Sequence, residues 1–599
     1  MLNADQYAAA TYPSSVMLIA PPGSGKTTTM VARIEHIRNA RPASHVVAVS
    51  FTRDSADELH DRIVHSLGEW GADHVQSGTF HSLCKDQLQA AGIRTTLIEE
   101  FERVRYLNKA VASMERPPQF DNDDDRYEML GNIEREKMAR ALGRSCGDHT
   151  VERVTTAYQA ELAEAQVADF QDLIIQAVQG MRDGLVTPLK CAELTIDEFQ
   201  DIDELQLEWA FMTIDANRAT AFAVGDDDQS IFGFRLAMGI EAIRRFVRKT
   251  NAKQLLLRVN YRSHVEIVEA ATRLIRANQA RNDKDVVAHT GKGAGISFTN
   301  YNSMMAEAES VASAIIHADR SKHTFAVLAR ERRPLLGIQA YLSAAGVPHR
   351  SVGKSIWKEQ PVRLLLVALG MVAGVKVRDS LVEALFEFVG ADEDEAAAAK
   401  HVRREVWLRG AKAQLPRVAK HASVIAFLAH FEAWNRLASD DDKVDVAVFG
   451  VKTWLQTHLP KSAQRDQEMV ELAAAAVMRM QRPLKARLAY LTQVDQKRDA
   501  NANVTLATFH GAKGLEWDVV IAVAADHDKV PHQKSEISEE RRLFYVASTR
   551  ARKRYAITSG RGIPSPFVIE AFPTMKDAIY NGGFQLGATY GVELPRPSP

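Results

Sequence analysis

A chain of 599 residues is too long for one hydrophobic core, so several domains are expected. With 75 basic against 76 acidic residues the net charge is -1, which excludes a protein basic over its whole surface but not one with a local basic groove. Cys84, Cys146 and Cys191 are scattered and lack metal-ligand spacing, which fits a reducing cytoplasm and excludes a disulfide framework. The longest apolar run, LLLVALGMVAGV at 364–375, is too short to cross a bilayer and reads as a buried helix, so no membrane contact is expected. The opening MLNADQYAAATYP lacks a basic segment followed by an apolar one, so no secretory signal is expected either.

In chain order, the first β-type run is VMLIA (16–20), which leads through APPGSGKTT (20–28) into the helical MVARIEHI. Strand, glycine-rich loop and helix in that order form the context that a phosphate-binding loop requires. Gly23 and Gly25 let backbone N–H groups approach phosphates with no Cβ in the way. Lys26 can reach the β- and γ-phosphates, the Thr27 hydroxyl can ligate Mg²⁺, and Ser24 and Thr28 complete the binding segment. The loop alone fits a kinase or a GTPase equally well. HVVAVS (45–50) is a second strand, and a mostly helical stretch follows over roughly 86–184. AELTID (192–197) is a strand that ends in Asp197-Glu198. There one carboxylate can hold the Mg²⁺ shell while its neighbour orients and deprotonates an attacking water.

ATAFAVG (219–225) runs into VGDDDQSIFGFR (224–235), which packs three acids, an amide, two aromatics and an arginine into one segment. The acids fit metal or phosphate chemistry; the rings add nothing to phosphoryl transfer. A second set of strands is QLLLR (254–258), GISFTN (295–300), TFAVLAR (324–330), NVTLATF (503–509) and DVVIAVA (518–524), with a second helical stretch at roughly 376–500. Alternating strands and helices predict two parallel α/β domains. The acidic patches at 121–125, 392–395 and 440–442 read as solvated loops, since EF-hand spacing is absent.

An ordered series of segments resembles the UvrD/Rep/PcrA family of superfamily 1A DNA helicases. LNADQ (2–6) looks like the Q motif, AVSFTRDSADELHDR (48–62) like motif Ia, and GTFHSL (78–83) like motif Ib. DFQDL (169–173) resembles the motif after the first insertion, IDEFQDIDELQ (196–206) motif II, VGDDDQSIFGFR motif III, and NYRS (260–263) motif IV. TFHGAKGLEWDVV (508–520) and EERRLFYVASTRAR (539–552) resemble motifs V and VI.

The resemblance implies two RecA-like parallel-sheet motor domains, each interrupted by a mostly helical insertion. Motor domain 1A would comprise 1–85 and 185–255, with insertion 1B at 86–184. Motor domain 2A would comprise 256–375 and 501–572, with insertion 2B at 376–500 and a tail at 573–599. It implies ATP and Mg²⁺ as cofactors, single-stranded DNA and single-strand/duplex junctions as substrate, a possible protein partner in repair or defence, and 3′ to 5′ movement. Gln6 would read adenine, Tyr261 stack on it, and Glu516 contact the ribose. Asp197 and Glu198 would serve Mg²⁺ and water, Gln229 would sense the γ-phosphate, and Arg262 and Arg550 would reach it from the second motor domain. Arg235 would pair with the motif II acids.

DNA contacts would come from Phe51, Thr52, Thr79, Phe80, His81, Phe232, Phe234 and His510, with Lys513 near the cleft. The chain departs from the family pattern at Arg53-Asp54 (usually Asn-Lys), Phe234 (usually Trp), Trp517 (usually Phe) and Pro21-Pro22 (usually Gly-Ala), none of which removes a catalytic group. An active ATPase is therefore expected. The second insertion is shorter than is typical, which keeps two further readings open: a translocase with little unwinding of its own, and an ATP-gated sensor in a defence or repair assembly.

Overall fold

The computed structural model describes residues 2–120, 123–233, 236–293, 295–351, 355–391, 421–459, 463–496, 502–560, 562–572 and 589–591. It divides into two compact units: Met1–Val268 with Ile275–Gly291, and Glu269–Leu274 with Lys292–Pro599.

In the first unit the apolar runs form a parallel sheet of β1 (Val16–Ile19), β2 (Val46–Ser50), β3 (Val75–Thr79), β4 (Glu193–Ile196), β5 (Thr220–Gly225) and β6 (Lys253–Leu256). Its order is β3-β2-β4-β5-β1-β6. Strands β1, β2 and β4 are buried along their whole length, as expected for central parallel strands covered on both faces. The register sets Ile19 beside Gly225 and Val49 beside Ile196, so the carboxyl ends of β1, β2, β4 and β5 open on one edge. That edge is where open α/β sheets bind ligands. A buried ion pair ties the helix Lys26–Ala40 to the start of β4: Arg33 donates from Nε and Nη2 to the two carboxylate oxygens of Glu193, each at 2.7 Å. A bidentate pair of this kind holds geometry tightly and is costly to break from one side.

QLLLR, expected in the second domain, belongs to this first sheet as β6, where it pairs parallel with β1. A two-stranded parallel ribbon, β7 (Val259–His264) and β8 (Val287–Thr290), completes the unit. The first helical stretch has a small core of its own, built by Tyr106, Leu107, Ile133, Val154, Tyr158 and Leu162. It is tied back by the buried Lys137, which contacts Asp169 at 2.8 Å and Asp172 at 2.6 Å.

The second unit is a sheet of β9 (Gly295–Asn300), β10 (Phe325–Ala329), β11 (Arg350–Ser351), β12 (Val504–Thr508), β13 (Trp517–Val523), β14 (Ala551–Ser559) and β15 (Thr589–Gly591), in the order β11-β12-β10-β13-β14-β9-β15. All its pairings are parallel except β15 on β9. The run 364–375 lies largely in the buried helix Gln360–Val372, as expected. The helices Ala422–Ala438, Val444–His458, Gln464–Met478 and Leu484–Gln496 occupy the second helical stretch. Among the described residues, their apolar side chains join one continuous core with Val327, Leu506 and Ile521 of the sheet.

Phe80, expected to hold a base, is a core residue. It starts the helix Phe80–Ala90, is 4% exposed, and packs edge-on against the buried Trp209 at 5.5 Å. Phe80→Ala should therefore lower the stability of the first unit by about 3–5 kcal/mol, read as a shift in denaturant midpoint.

Candidate functional site

The segment after β1 turns through two left-handed glycines, Gly23 (φ +70) and Gly25 (φ +83). A Cβ on Gly23 would come within 2.5 Å of Arg262 Cβ, and one on Gly25 within 2.5 Å of Gln6 Nε2. Gly25 precedes the helix Lys26–Ala40 without a side-chain cap, so the first-turn N–H groups stay open to an anion. The loop is braced by the Ser24 hydroxyl donating to the Pro21 carbonyl at 2.7 Å and by Thr29 donating to the Gly25 carbonyl at 2.9 Å. Thr27 is half-buried and Thr28 exposed at the helix start.

Two further elements close on this loop. Asn3 and Gln6 form a reciprocal cap on the helix Ala4–Thr11, and Gln6 Nε2 donates to the Ser24 carbonyl at 3.0 Å. Gln6 is thus a brace of the phosphate loop before it is anything else. From β7, the Asn260 amide donates to the Pro22 carbonyl at 2.7 Å and Tyr261 N to the Gly23 carbonyl at 2.8 Å. Tyr261 is 40% exposed, with its hydroxyl accepting from Asn3 at 2.8 Å and its ring 4.9 Å from His289. Arg262, expected on the second motor domain, lies in the first unit, because the β7 backbone is hydrogen-bonded to the phosphate loop.

The acids stand at the ends of the neighbouring strands. Glu198 adopts a left-handed backbone (φ 47), a strained state for a non-glycine residue that turns its side chain toward the loop. Its Oε1 accepts from Lys26 Nζ at 2.7 Å, and its Oε2 accepts from Gln200 Nε2 at 2.6 Å. Gln200 Oε1 accepts from Asp226 N at 2.9 Å, and Asp226 Oδ2 accepts from Gln229 Nε2 at 2.8 Å. One hydrogen-bonded chain therefore runs from Lys26 through Glu198, Gln200 and Asp226 to Gln229. Burial would lower the Lys26 pKa, but Glu198 and Asp197 outweigh it and hold the ammonium charged. Asp197 Oδ1 accepts from Glu198 N at 2.9 Å. Thr27 and Asp197 supply one hydroxyl and one carboxylate, the sparse protein set with which Mg²⁺ joins phosphates and water.

Beside this site lies a groove of about 670 Å³ lined by Phe51, Arg53, His60, His81, Lys85 and Phe170. Phe51 and Phe232 stack with ring centres 5.8 Å apart and planes 13° from parallel. Thr52 and Thr79 line the strand ends as helix caps, accepting from Ser55 N and Ser82 N. His81 meets the Phe170 edge at 6.0 Å, and burial pushes its pKa down toward the neutral ring. Phe234 and Arg235 lie outside the described residues.

In the second unit, Arg550 is buried, with Nε donating to the Val546 carbonyl at 2.9 Å and Nη1 to the Leu515 carbonyl at 3.3 Å. Glu516 is paired with Arg552. His510 opens a short helical turn, His510–Ala512, that leads to Lys513. Gln200, Asn260, Arg281, Asn282 and Lys284 are site residues that sequence reasoning missed. Gln200 stands inside the quoted DEFQD and Asn260 inside NYRS, so their motifs could have singled them out; no local signal marks the segment 281–284.

Two family models match the chain. The model of the UvrD/REP helicase N-terminal domain covers residues 2–251, and that of the UvrD-like helicase C-terminal domain covers 255–386 and 467–561. Similar proteins include an ATP-dependent DNA helicase PcrA from Leuconostoc citreum, 27% identical over 97% of this chain and 86% of that protein. DNA helicase II of Escherichia coli K12 is 27% identical over 93% of this chain and 84% of its own length. ATP-dependent DNA helicase Rep of the same organism is 25% identical over 90% and 88%.

Gly23→Ala tests the close approach of the loop and β7. It should separate Arg262 from the loop and weaken binding of a fluorescent nucleoside triphosphate at least on the order of tenfold, the cost of more than about 1.4 kcal/mol of strain. Unchanged affinity would show that the contact does not matter.

Proposed function

The chain belongs to the UvrD/Rep/PcrA family of ATP-dependent DNA helicases, and from that membership we propose that it hydrolyses ATP at the phosphate loop of the first unit to drive 3′ to 5′ movement along single-stranded DNA. The observation that carries the reading is the Lys26–Glu198 contact of 2.7 Å at the open end of the helix Lys26–Ala40. A triphosphate entering the loop competes for Lys26, which exchanges a carboxylate for phosphate oxygens and releases Glu198. The freed carboxylate can then take a proton from the attacking water. Thr27 and Asp197 are the groups that would hold Mg²⁺, which when bound neutralises charge on the phosphates.

Gln229 reads the γ-phosphate, and the chain through Asp226 and Gln200 links it to Glu198. Arg262 acts from beside Gly23, and Arg550 supplies the second γ-phosphate arginine. Gln6, Ser24, Tyr261 and Glu516 serve the rest of the nucleotide in this reading. The stacked Phe51 and Phe232 offer bases a sequence-independent face, joined by Phe234, while Arg53 and Lys85 of the same groove meet phosphates and make binding salt-sensitive. Thr52, Thr79, His81 and His510 line the strand's path.

Single-strand/duplex junctions are the proposed loading sites. A protein partner in repair or defence and a cytoplasmic setting complete the proposal, and no helix among the described residues is long and apolar enough to cross a membrane. The expected division into 1A, 1B, 2A and 2B remains part of it. The merging of helices 422–496 into the core of the second unit favours a translocase whose unwinding is weak without a partner.

Glu198→Gln should keep ATP binding and lower kcat on the order of 10²–10⁴, since only the base is lost. The wild type should unwind 3′-tailed duplexes in preference to 5′-tailed ones. Near-normal turnover in the variant, or a preference for 5′ tails, would contradict the reading.

A further inference from the structure

The turn after β5 buries three consecutive carboxylates, with Asp226 at 0%, Asp227 at 3% and Asp228 at 1% exposure. Like charges so close in a poorly solvated site cannot all stay ionised without cations held against them. Those cations come from a distant part of the chain. Arg281 grips Asp228 with two hydrogen bonds, Nε to Oδ1 at 3.0 Å and Nη2 to Oδ2 at 2.7 Å. Asn282 donates to Asp227 from its backbone N at 2.7 Å and from Nδ2 at 3.1 Å. Lys284 reaches all three acids: Asp227 Oδ1 at 2.7 Å, Asp228 Oδ2 at 2.8 Å, and Asp226 Oδ1. Its side chain is buried, and an ammonium has one donor for each carboxylate.

Asp226 is the member of the cluster that touches the catalytic machinery. Its Oδ1 faces Lys284, and its Oδ2 accepts from the side-chain amide of Gln229. A few residues further on, the same segment becomes β8, which sets Ala288 against Asn260 and Val287 against Val259 on the strand that carries Tyr261 and Arg262. The stretch 281–290 thus grips two nucleotide-site segments at once.

We propose that Lys284 is a positioning residue for Gln229, holding Asp226 so that its free oxygen fixes the orientation of the Gln229 amide toward the γ-phosphate. This rests on the reading of Gln229 as the group that senses that phosphate. Without Lys284, Asp228 keeps Arg281 and Asp227 keeps Asn282, but Asp226 loses the ammonium that opposes the effect of burial, which then favours its protonated form. A protonated Asp226 no longer presents two fixed acceptors, so the Gln229 amide loses its defined direction while the phosphate loop keeps its own bonds. Binding of ATP would survive and turnover would suffer.

The test is steady-state ATPase with single-stranded DNA on the full chain, comparing Lys284→Met, Lys284→Arg, Gln229→Ala and the double variants. Lys284→Met should lower kcat on the order of ten- to a hundredfold, the cost of a misplaced catalytic group, with KM for ATP held within about twofold. Lys284→Arg should recover part of kcat, because it keeps the charge but its planar fork cannot serve three carboxylates. In the Gln229→Ala background neither change at Lys284 should lower kcat further. Multiplicative losses in the doubles, or a kcat unmoved by Lys284→Met, would overturn the proposal. If Lys284→Met does not fold, Lys284→Arg decides on the same terms, and an unchanged kcat in it overturns the proposal. A wild type that hydrolyses no ATP would overturn the reading of the site and this inference with it; an active wild type with multiplicative losses overturns the inference alone.

Discussion

An ammonium and a carboxylate 2.7 Å apart at the mouth of an anion-binding loop set the terms for everything around them. In the proposed reading Lys26 must be charged to attract phosphate and Glu198 ionised to act as a base, and here each satisfies the other. The pair leaves neither charge unpaired in a partly buried place. On that reading, nucleotide binding is an exchange of partners at Lys26, and that exchange changes what Glu198 can do. The left-handed backbone at Glu198 keeps its side chain over the loop, and the Arg33–Glu193 pair holds β4 and the phosphate-loop helix at a fixed separation beneath it. Strain at one residue is tolerated because the surrounding bonds over-determine it.

From that pair a series of hydrogen bonds leads along the edge of the sheet. Gln200 has its amide N–H on Glu198 and its carbonyl on the backbone of Asp226. A carboxamide in this position cannot follow one neighbour without turning toward or away from the other. Gly225 makes the arrangement possible, since a Cβ there would lie 2.8 Å from Gln200 Oε1. Beyond Asp226 stand Gln229 and, after it, the ring of Phe232 stacked on Phe51. Acids and aromatics share one segment, which runs from the hydrogen-bonded chain to the stacked rings; in the proposed reading the opposite chemistries serve two different ligands.

Much of the fold is legible in the sequence. The strands at 16–20, 45–50, 192–197 and 219–225 read clearly because buried parallel strands are continuous apolar runs. The phosphate loop and the Asp197-Glu198 strand end followed from local pattern. QLLLR went to the wrong domain because an apolar run does not say which sheet it joins; hydrogen bonding to β1 decides that. β3 went unread as a strand because only its two ends, Val75 and Thr79, are buried. The motif around Phe80 points it at DNA, yet Phe80, Leu83, Cys84, Gln87 and Leu88 form a buried stripe at helical spacing that marks it as core. Lys284 was beyond reach, because a buried acidic cluster requires a counter-charge without saying where in the chain it lies.

In the proposed reading, Gln200 conducts the change at Glu198 to the segment that would meet DNA. The most direct measurement is the ATPase rate of Gln200→Ala with and without single-stranded DNA, beside its affinity for a non-hydrolysable ATP analogue. The account predicts that analogue binding survives within a few-fold while DNA no longer accelerates hydrolysis, since the loop is intact and the link is cut. A variant that DNA stimulates as strongly as the wild type would contradict it.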